Sequence, residues 1–155
     1  MHDFRRSLAA LSAFPAELQQ LLAGVDDTLA HRIPAANEWS VVEVIGHLID
    51  IDPLQIERVD RILAEERPQF TRFDADAAVH AAGYARRSLD DVLTAFIALR
   101  QATVDGLSTI EPDELDRVGI RYTGEVVTLR ALMASFAAHD QNHAQQIRAA
   151  LAPKG

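Results

Sequence analysis

The sequence predicts an all-α protein: a four-helix bundle with a short connecting helix and an extended loop or small hairpin before the last helix. Three observations carry this expectation. Long stretches place apolar residues at intervals of three and four, the period of a helix that buries one face. Serine, threonine or aspartate stands just ahead of those stretches, where a helix start needs a side-chain acceptor. The chain is 48% apolar but only 6% aromatic, with seven glycines and six prolines, so its core must be built from Ala, Leu, Ile and Val packed between helices.

The first helix starts near Asp3 and presents Phe4, Leu8 and Leu11, then Leu18, Leu21 and Leu22, with Pro15 expected to kink or restart it. Residues 24–39 hold Asp26, Asp27, Pro34 and Asn37 without sustained periodicity and read as a loop. Ser40-Val41-Val42-Glu43 fits a capping box, in which the hydroxyl and the carboxylate each satisfy an orphan N–H. The long helix that follows turns Val44, His47, Leu48, Ile51, Leu54 or Gln55, Arg58 and Ile62 inward, with an irregularity expected at Pro53. It has ended by Pro68. Residues 74–86, rich in alanine and interrupted by Gly83, read as the short connecting helix.

Ser88, followed by Asp90 and Asp91, opens a third long helix through Val92, Leu93, Phe96, Leu99, Val104 and Leu107. Residues 118–127 mix β-branched and aromatic side chains with Gly119 and Gly124, the pattern of an extended loop or small hairpin. The final helix, residues 128–152, is stopped by Pro153 and lines up Leu129, Leu132, Met133, Phe136, His139, His143, Ile147 and Leu151. With 155 residues and no linker or repeat, the chain is expected to form a single domain, 1–155, that buries roughly 70% of the surface exposed when unfolded.

Charge and composition exclude several functions. A net charge of −8 repels phosphate backbones, so no nucleic acid partner is expected. The absence of cysteine rules out disulfides, a thiolate nucleophile and a Cys-based zinc site, leaving His, Asp and Glu to hold any metal. The stretch after Met1-His2-Asp3 is a poor secretory signal and far too short to span a membrane, so a cytoplasmic protein without membrane contact is expected.

The chemistry is expected from three histidines. His139 and His143 are four residues apart, one turn apart on one helix face, with Cβ atoms roughly 6 Å apart, so that both rings reach one ion. Both stand where the apolar stripe of Leu132, Phe136 and Ile147 would otherwise continue, and a buried imidazole needs a partner. His47 takes the corresponding inward position between Val44 and Ile51. A lone inward histidine is more often a hydrogen-bonded core residue; for three in this pattern the balance moves to a metal.

The segments Trp39-Ser40-Val41-Val42-Glu43-Val44-Ile45-Gly46-His47-Leu48-Ile49-Asp50 and His139-Asp140-Gln141-Asn142-His143-Ala144-Gln145-Gln146-Ile147 resemble the DinB-like superfamily of metal-binding four-helix bundles, and the likeness spans nearly the whole chain. It implies that His47, His139 and His143 bind one divalent transition metal, zinc or nickel ahead of manganese or iron. It also implies kinship with metal-dependent transferases and isomerases that use a low-molecular-weight thiol such as bacillithiol or mycothiol, and a homodimer. Three neutral imidazoles leave a position free for water or substrate, the arrangement of a catalytic site. A metal held this way lowers the pKa of a water or thiol, so the chain can borrow the sulfur it lacks.

Asp50, three residues after His47, is the candidate catalytic carboxylate, able to orient an imidazole, serve as a fourth ligand or act as a general base; an exposed helix carboxylate explains it equally well. Glu43 is already explained by capping, and Gln146 is either a ligand contact or polar rim. His2, His31 and His80 are expected to be structural or exposed. The run Glu111, Asp113, Glu114 and Asp116 reads as a solvated face, since it lacks calcium-loop spacing. Arg5-Arg6 and Arg86-Arg87 are surface charge or contacts for an anionic thiol, and a residue that orients substrate is expected in 24–39 or 118–127. These readings converge on a divalent-metal-dependent enzyme, a thiol-dependent S-transferase or related hydrolase acting on a small molecule. The alternatives are a non-enzymatic metal-binding stress or regulatory protein and a metal-free interaction bundle.

Overall fold

A computed structural model of the chain describes residues 2–153, apart from the side chain of His2; the readings of the N-terminal residue and of His2 lie outside what is described. Four long helices, α1 (His2–Leu21), α3 (Val41–Ala64), α5 (Leu89–Leu107) and α6 (Leu129–Leu151), form the bundle, with two short helices, α2 (Asp27–Ala30) and α4 (Ala75–Ala82), between them. α1 packs on α5 and α6, and α3 packs on the same two, so α1 and α3 stand diagonally across the bundle. This arrangement sets α3 beside α6. The histidines of both helices thereby share one groove.

The helix starts follow the local chemistry of the sequence. Ser40 accepts from the Glu43 N–H while Glu43 Oε1 accepts from the Ser40 N–H at 3.1 Å, so the capping box forms with both partners buried. Ser88 and Thr128 cap α5 and α6 by accepting from the backbone N–H groups of Asp91 and Ala131. Two helix ends are closed from afar. Arg117 donates to the carbonyls of Ile62 and Glu65 at the end of α3, and Arg32 to those of Ala150 and Ala152 at the end of α6.

Three local expectations change. Residues 24–39 are not wholly irregular, because Asp26 accepts from the Leu29 N–H and caps the single turn α2. α1 runs unbroken through Pro15. A proline has no N–H to give to the carbonyl four residues earlier, here Leu11, and Arg100 Nη1 donates to that oxygen at 3.2 Å instead. α3 likewise continues through Pro53, which lies on its exposed side.

The core has two apolar zones. One gathers Phe14, Leu18, Ile45, Leu48, Phe96 and Ile147; the other gathers Leu11, Ile62, Leu107, Leu129, Leu132 and Phe136. Charged residues also lie in the interior: Asp52, Arg100 and Asp140, at 0, 1 and 1% exposure. Arg100 donates twice to Asp52 (2.9 and 3.0 Å), twice to Asp140 (2.7 and 3.0 Å) and once to Leu11, which uses all five N–H groups. Its guanidinium lies 4.8 and 5.0 Å from the rings of Phe96 and Phe136. One side chain thus joins all four long helices.

The segment before α6 is a small hairpin, β1 (Val118–Ile120) paired antiparallel with β2 (Val126–Thr128). Its outer backbone bonds to the strand-like stretch after α3, Phe70 N–H to Ile120 O and Ile120 N–H to Pro68 O, both at 2.8 Å. The hairpin is thereby held over one end of the groove between α3 and α6. No helix among the described residues is long and apolar enough to cross a membrane.

Candidate metal centre

His47 comes from α3, and His139 and His143 from successive turns of α6. Their Nε2 atoms converge: His139 lies 3.1 Å from His47 and 3.0 Å from His143. His47 is 4% exposed and the other two are half-buried. Among the described residues no other group of three His, Asp or Glu side chains brings ligand atoms together this closely. The inward stripe of α6 differs from the expectation. Its fully buried line runs Phe136, Asp140, Ala144 and Ile147, while His139 and His143 flank it and face the groove.

Without a cation this arrangement is hard to satisfy. His143 Nδ1 is bonded to Gln146 Oε1 at 2.8 Å, so Nδ1 carries the proton and Nε2 presents its lone pair. His139 Nε2 stands in both close contacts, and one ring nitrogen cannot donate in one and accept in the other. The Nδ1 atoms of His47 and His139 are buried without a hydrogen-bond partner among the described residues. Three neutral imidazole nitrogens brought together in this way, two pairs of them 3.0–3.1 Å apart, are a donor set that a divalent transition metal would take. The residues fit a divalent transition metal.

The electrostatics agree. Burial, followed by the charges of His143 and His139, pushes His47 down to about 3. Burial, then His143 and Arg100, pushes His139 to about 4. His143 is also lowered by burial, against the opposing bond from Gln146. All three rings are neutral near pH 7, as metal ligation requires.

Neighbouring residues frame the cluster. The Trp39 ring lies 4.9 Å from that of His47 and is fixed by an Nε1–H bond to Asp76. Asp50 does not join the histidines. It shares a helix face with Gly46, four residues earlier, and accepts from the Tyr84 hydroxyl at 2.7 Å. Burial raises its pKa, against the bond from Tyr84. Gly46 is required there because a Cβ would overlap the Tyr84 ring. Tyr84 follows Gly83, which ends α4 at φ +69°, a conformation that favours glycine. The connecting helix is thus pinned to the turn of α3 that carries His47.

From His47 and His139 a cavity of about 290 Å³ runs along α3. Gln55 and Arg58 form its floor; Phe70 and Phe73 line a wall, and Arg121 and Tyr122 of the hairpin lie at its far end. Sequence reasoning placed Arg58 on the inward face but gave it no role, and it missed Asp52, Arg100 and Asp140 altogether. Of the remaining candidates, Arg87 is paired with Asp91 at 2.7 Å and His80 lies beside Asp76. His31 bridges the carbonyls of Asp27 and Arg87. Glu111 and Glu114 cap a single turn, and Asp116 pairs with Arg130.

Fold and site together define a four-helix bundle with a three-histidine centre between its second and fourth long helices. The chain belongs to the DinB superfamily, whose family model matches residues 10–147. Among solved structures it is similar to YfiT from Bacillus subtilis, described as a probable metal-dependent hydrolase with an unusual four-helix bundle topology. The two share 21% identity at a TM-score of 0.84, over 94% of this chain and 83% of that one. No protein among curated sequences matches the chain.

Proposed function

We propose that this protein is a divalent-metal-dependent enzyme, a thiol-dependent S-transferase or related hydrolase, that acts on a small molecule in the cavity beside His47 and His139. The observation that carries the reading is the convergence of three neutral imidazole Nε2 atoms at the end of a partly enclosed cavity. The description of YfiT as a probable metal-dependent hydrolase supports it.

His47, His139 and His143 hold the ion, zinc or nickel ahead of manganese or iron. Gln146 fixes the His143 tautomer through Nδ1, so that Nε2 is free to ligate. Trp39 covers one side of His47 and keeps water from it. When bound, the metal supplies Lewis acidity that brings the pKa of a water or thiol toward neutrality. The apolar wall of Phe70 and Phe73 excludes solvent and orients the substrate along α3.

The test is elemental analysis of protein purified without a metal-affinity tag. About one divalent ion per chain is expected in the wild type, and little in His139→Ala and His143→Ala. Trp39 is the single tryptophan, so nickel or cobalt binding should quench the intrinsic fluorescence of the wild type and spare that of the variants. A wild type that takes up no ion from a divalent panel overturns the proposal. With a loaded protein, turnover that requires an added thiol assigns S-transfer, and turnover without one assigns hydrolysis.

A further inference from the structure

The cavity has a second polar end, away from the histidines. Arg58 lies three helical turns after His47 on the same face of α3, about 16 Å along the axis between Cα atoms. Its guanidinium sits over the Phe70 ring at 5.3 Å and is half-buried, with no carboxylate partner and no hydrogen bond among the described residues. Arg121 reaches the same space from the hairpin, where its only ion pair among the described residues is a 3.6 Å approach to the exposed Glu125. Burial, then the like charge of Arg121, works against ionisation of Arg58, with Glu57 opposing weakly.

Two features make this end unlike ordinary surface. The chain carries 23 acidic against 15 basic side chains, yet among the described residues no Asp or Glu lines the cavity. Between Arg58 and the histidines lies Gln55, 9% exposed, whose Oε1 is buried in the cavity lining without a hydrogen-bond partner. A buried acceptor left unpaired is destabilising unless something donates to it. Two adjacent guanidiniums, one without an ion pair among the described residues and the other held only by the exposed Glu125, are likewise relieved by an anion.

We propose that the cavity receives an elongated, partly apolar molecule whose carboxylate or phosphate is bound by Arg58, with Arg121 closing the rim, and whose N–H or O–H group donates to Gln55. The assignment rests on reading the cavity as the substrate site. The acidic group sits remote from the reacting end, so it selects and orients substrate while the chemistry stays at the histidines. Arg58 matches the planar, two-oxygen face of such a group, and the aromatic wall of Phe70 and Phe73 accommodates the apolar middle.

Binding is measured by calorimetry with 4-phenylbutanoate, its neutral counterpart 4-phenylbutanamide, and 4-phenylbutyl phosphate, on metal-loaded and on chelator-treated full-length protein. The acid is expected to bind about tenfold or more tightly than the amide in both metal states. Arg58→Gln should abolish that preference, Arg58→Lys should retain part of it, and Arg121→Gln should weaken it less. None of these probes carries an N–H or O–H along its middle, so Gln55→Leu should leave the acid preference unchanged, whereas 3-hydroxy-4-phenylbutanoate should bind more tightly than 4-phenylbutanoate to the wild type and lose that gain in Gln55→Leu. Tighter binding of the phosphate than of the carboxylate identifies a phosphoryl substrate, and the reverse order a carboxylic acid. Equal affinity for acid and amide in the wild type overturns the proposal. So does an acid preference that appears only in metal-loaded protein and survives Arg58→Gln, since the carboxylate would then be ligating the ion. Failure of the metal reading is separately visible: the chain takes up no ion while the acid preference of the treated protein persists.

Discussion

Replacing Arg100 by methionine removes the one cation shared by Asp52 and Asp140 and leaves two carboxylates at 0 and 1% exposure with no counter-charge. Leu11 O loses its donor as well. Breaking a buried ion pair from one side costs about 3–5 kcal/mol, a large part of the roughly 5–15 kcal/mol that holds a domain folded. With a urea dependence of about 2 kcal/mol/M, the unfolding midpoint should fall by roughly 2 M. The deficit has a pH signature. Burial already raises Asp140 to about 6 against the bonds from Arg100, and loss of the cation raises it further. A carboxylate whose folded pKa exceeds its unfolded value gains stability as pH falls, so the deficit should shrink between pH 8 and pH 5. The apolar set Asp52→Leu, Arg100→Met and Asp140→Leu should recover most of the loss, because the cost lies in the orphaned charges. A loss below 1 kcal/mol for Arg100→Met, or one unchanged by pH, refutes the reasoning.

Other perturbations separate the site from its scaffold. Gln146→Leu should weaken metal binding about 10–100-fold while leaving the metal-free melting temperature near that of the wild type, read from Trp39 fluorescence and calorimetry. Gly46→Ala should destabilise by about 1–3 kcal/mol in spite of alanine's better helix propensity, because the new methyl displaces Tyr84; a more stable variant would mean that the ring moves aside freely. His31 bonds two carbonyls, which calls for a proton on each ring nitrogen, and its pKa is raised chiefly by the bond to Asp27 O. Its stabilisation is full below the unfolded value of about 6.5 and is lost as pH rises through the higher folded value. His31→Gln should therefore be less stable than wild type by about 1 kcal/mol at pH 5.5 and should approach it at pH 9, in paired urea titrations.

How far the sequence discloses this molecule depends on whether each signal is local. The Ser40–Glu43 capping box lies within four residues, and the structure forms it as read. The spacing of His139 and His143 is equally local, and apolar periodicity suffices to place four long helices. Asp50 could not be settled that way. Three residues of helix leave it between two faces, and what decides is Tyr84, which packs on Gly46 from a separate segment. The cavity's polar end was half legible: Arg58 sits in an inward register, but its companion Arg121 arrives through the pairing of the hairpin with the stretch after α3.

The buried ion network shows why a charge at an inward position should be read together with its counterparts elsewhere in the chain. Asp140 falls between Phe136 and Ala144, and Arg100 follows Phe96 by one turn, both on the buried lines of their helices. Taken singly, each looks like a polar interruption; taken together, two acids and a base satisfy one another. Pro15 belongs to the same set, because it leaves Leu11 O without an intrahelical donor and Arg100 supplies one. A residue that marks a break by propensity therefore sits in a continuous helix whose spare acceptor is used by the core. The consequence reaches the site through one peptide bond. Asp140 and His139 are adjacent, about 100° apart around α6, so the contacts that lock Asp140 into the core also fix the direction in which His139 meets His47.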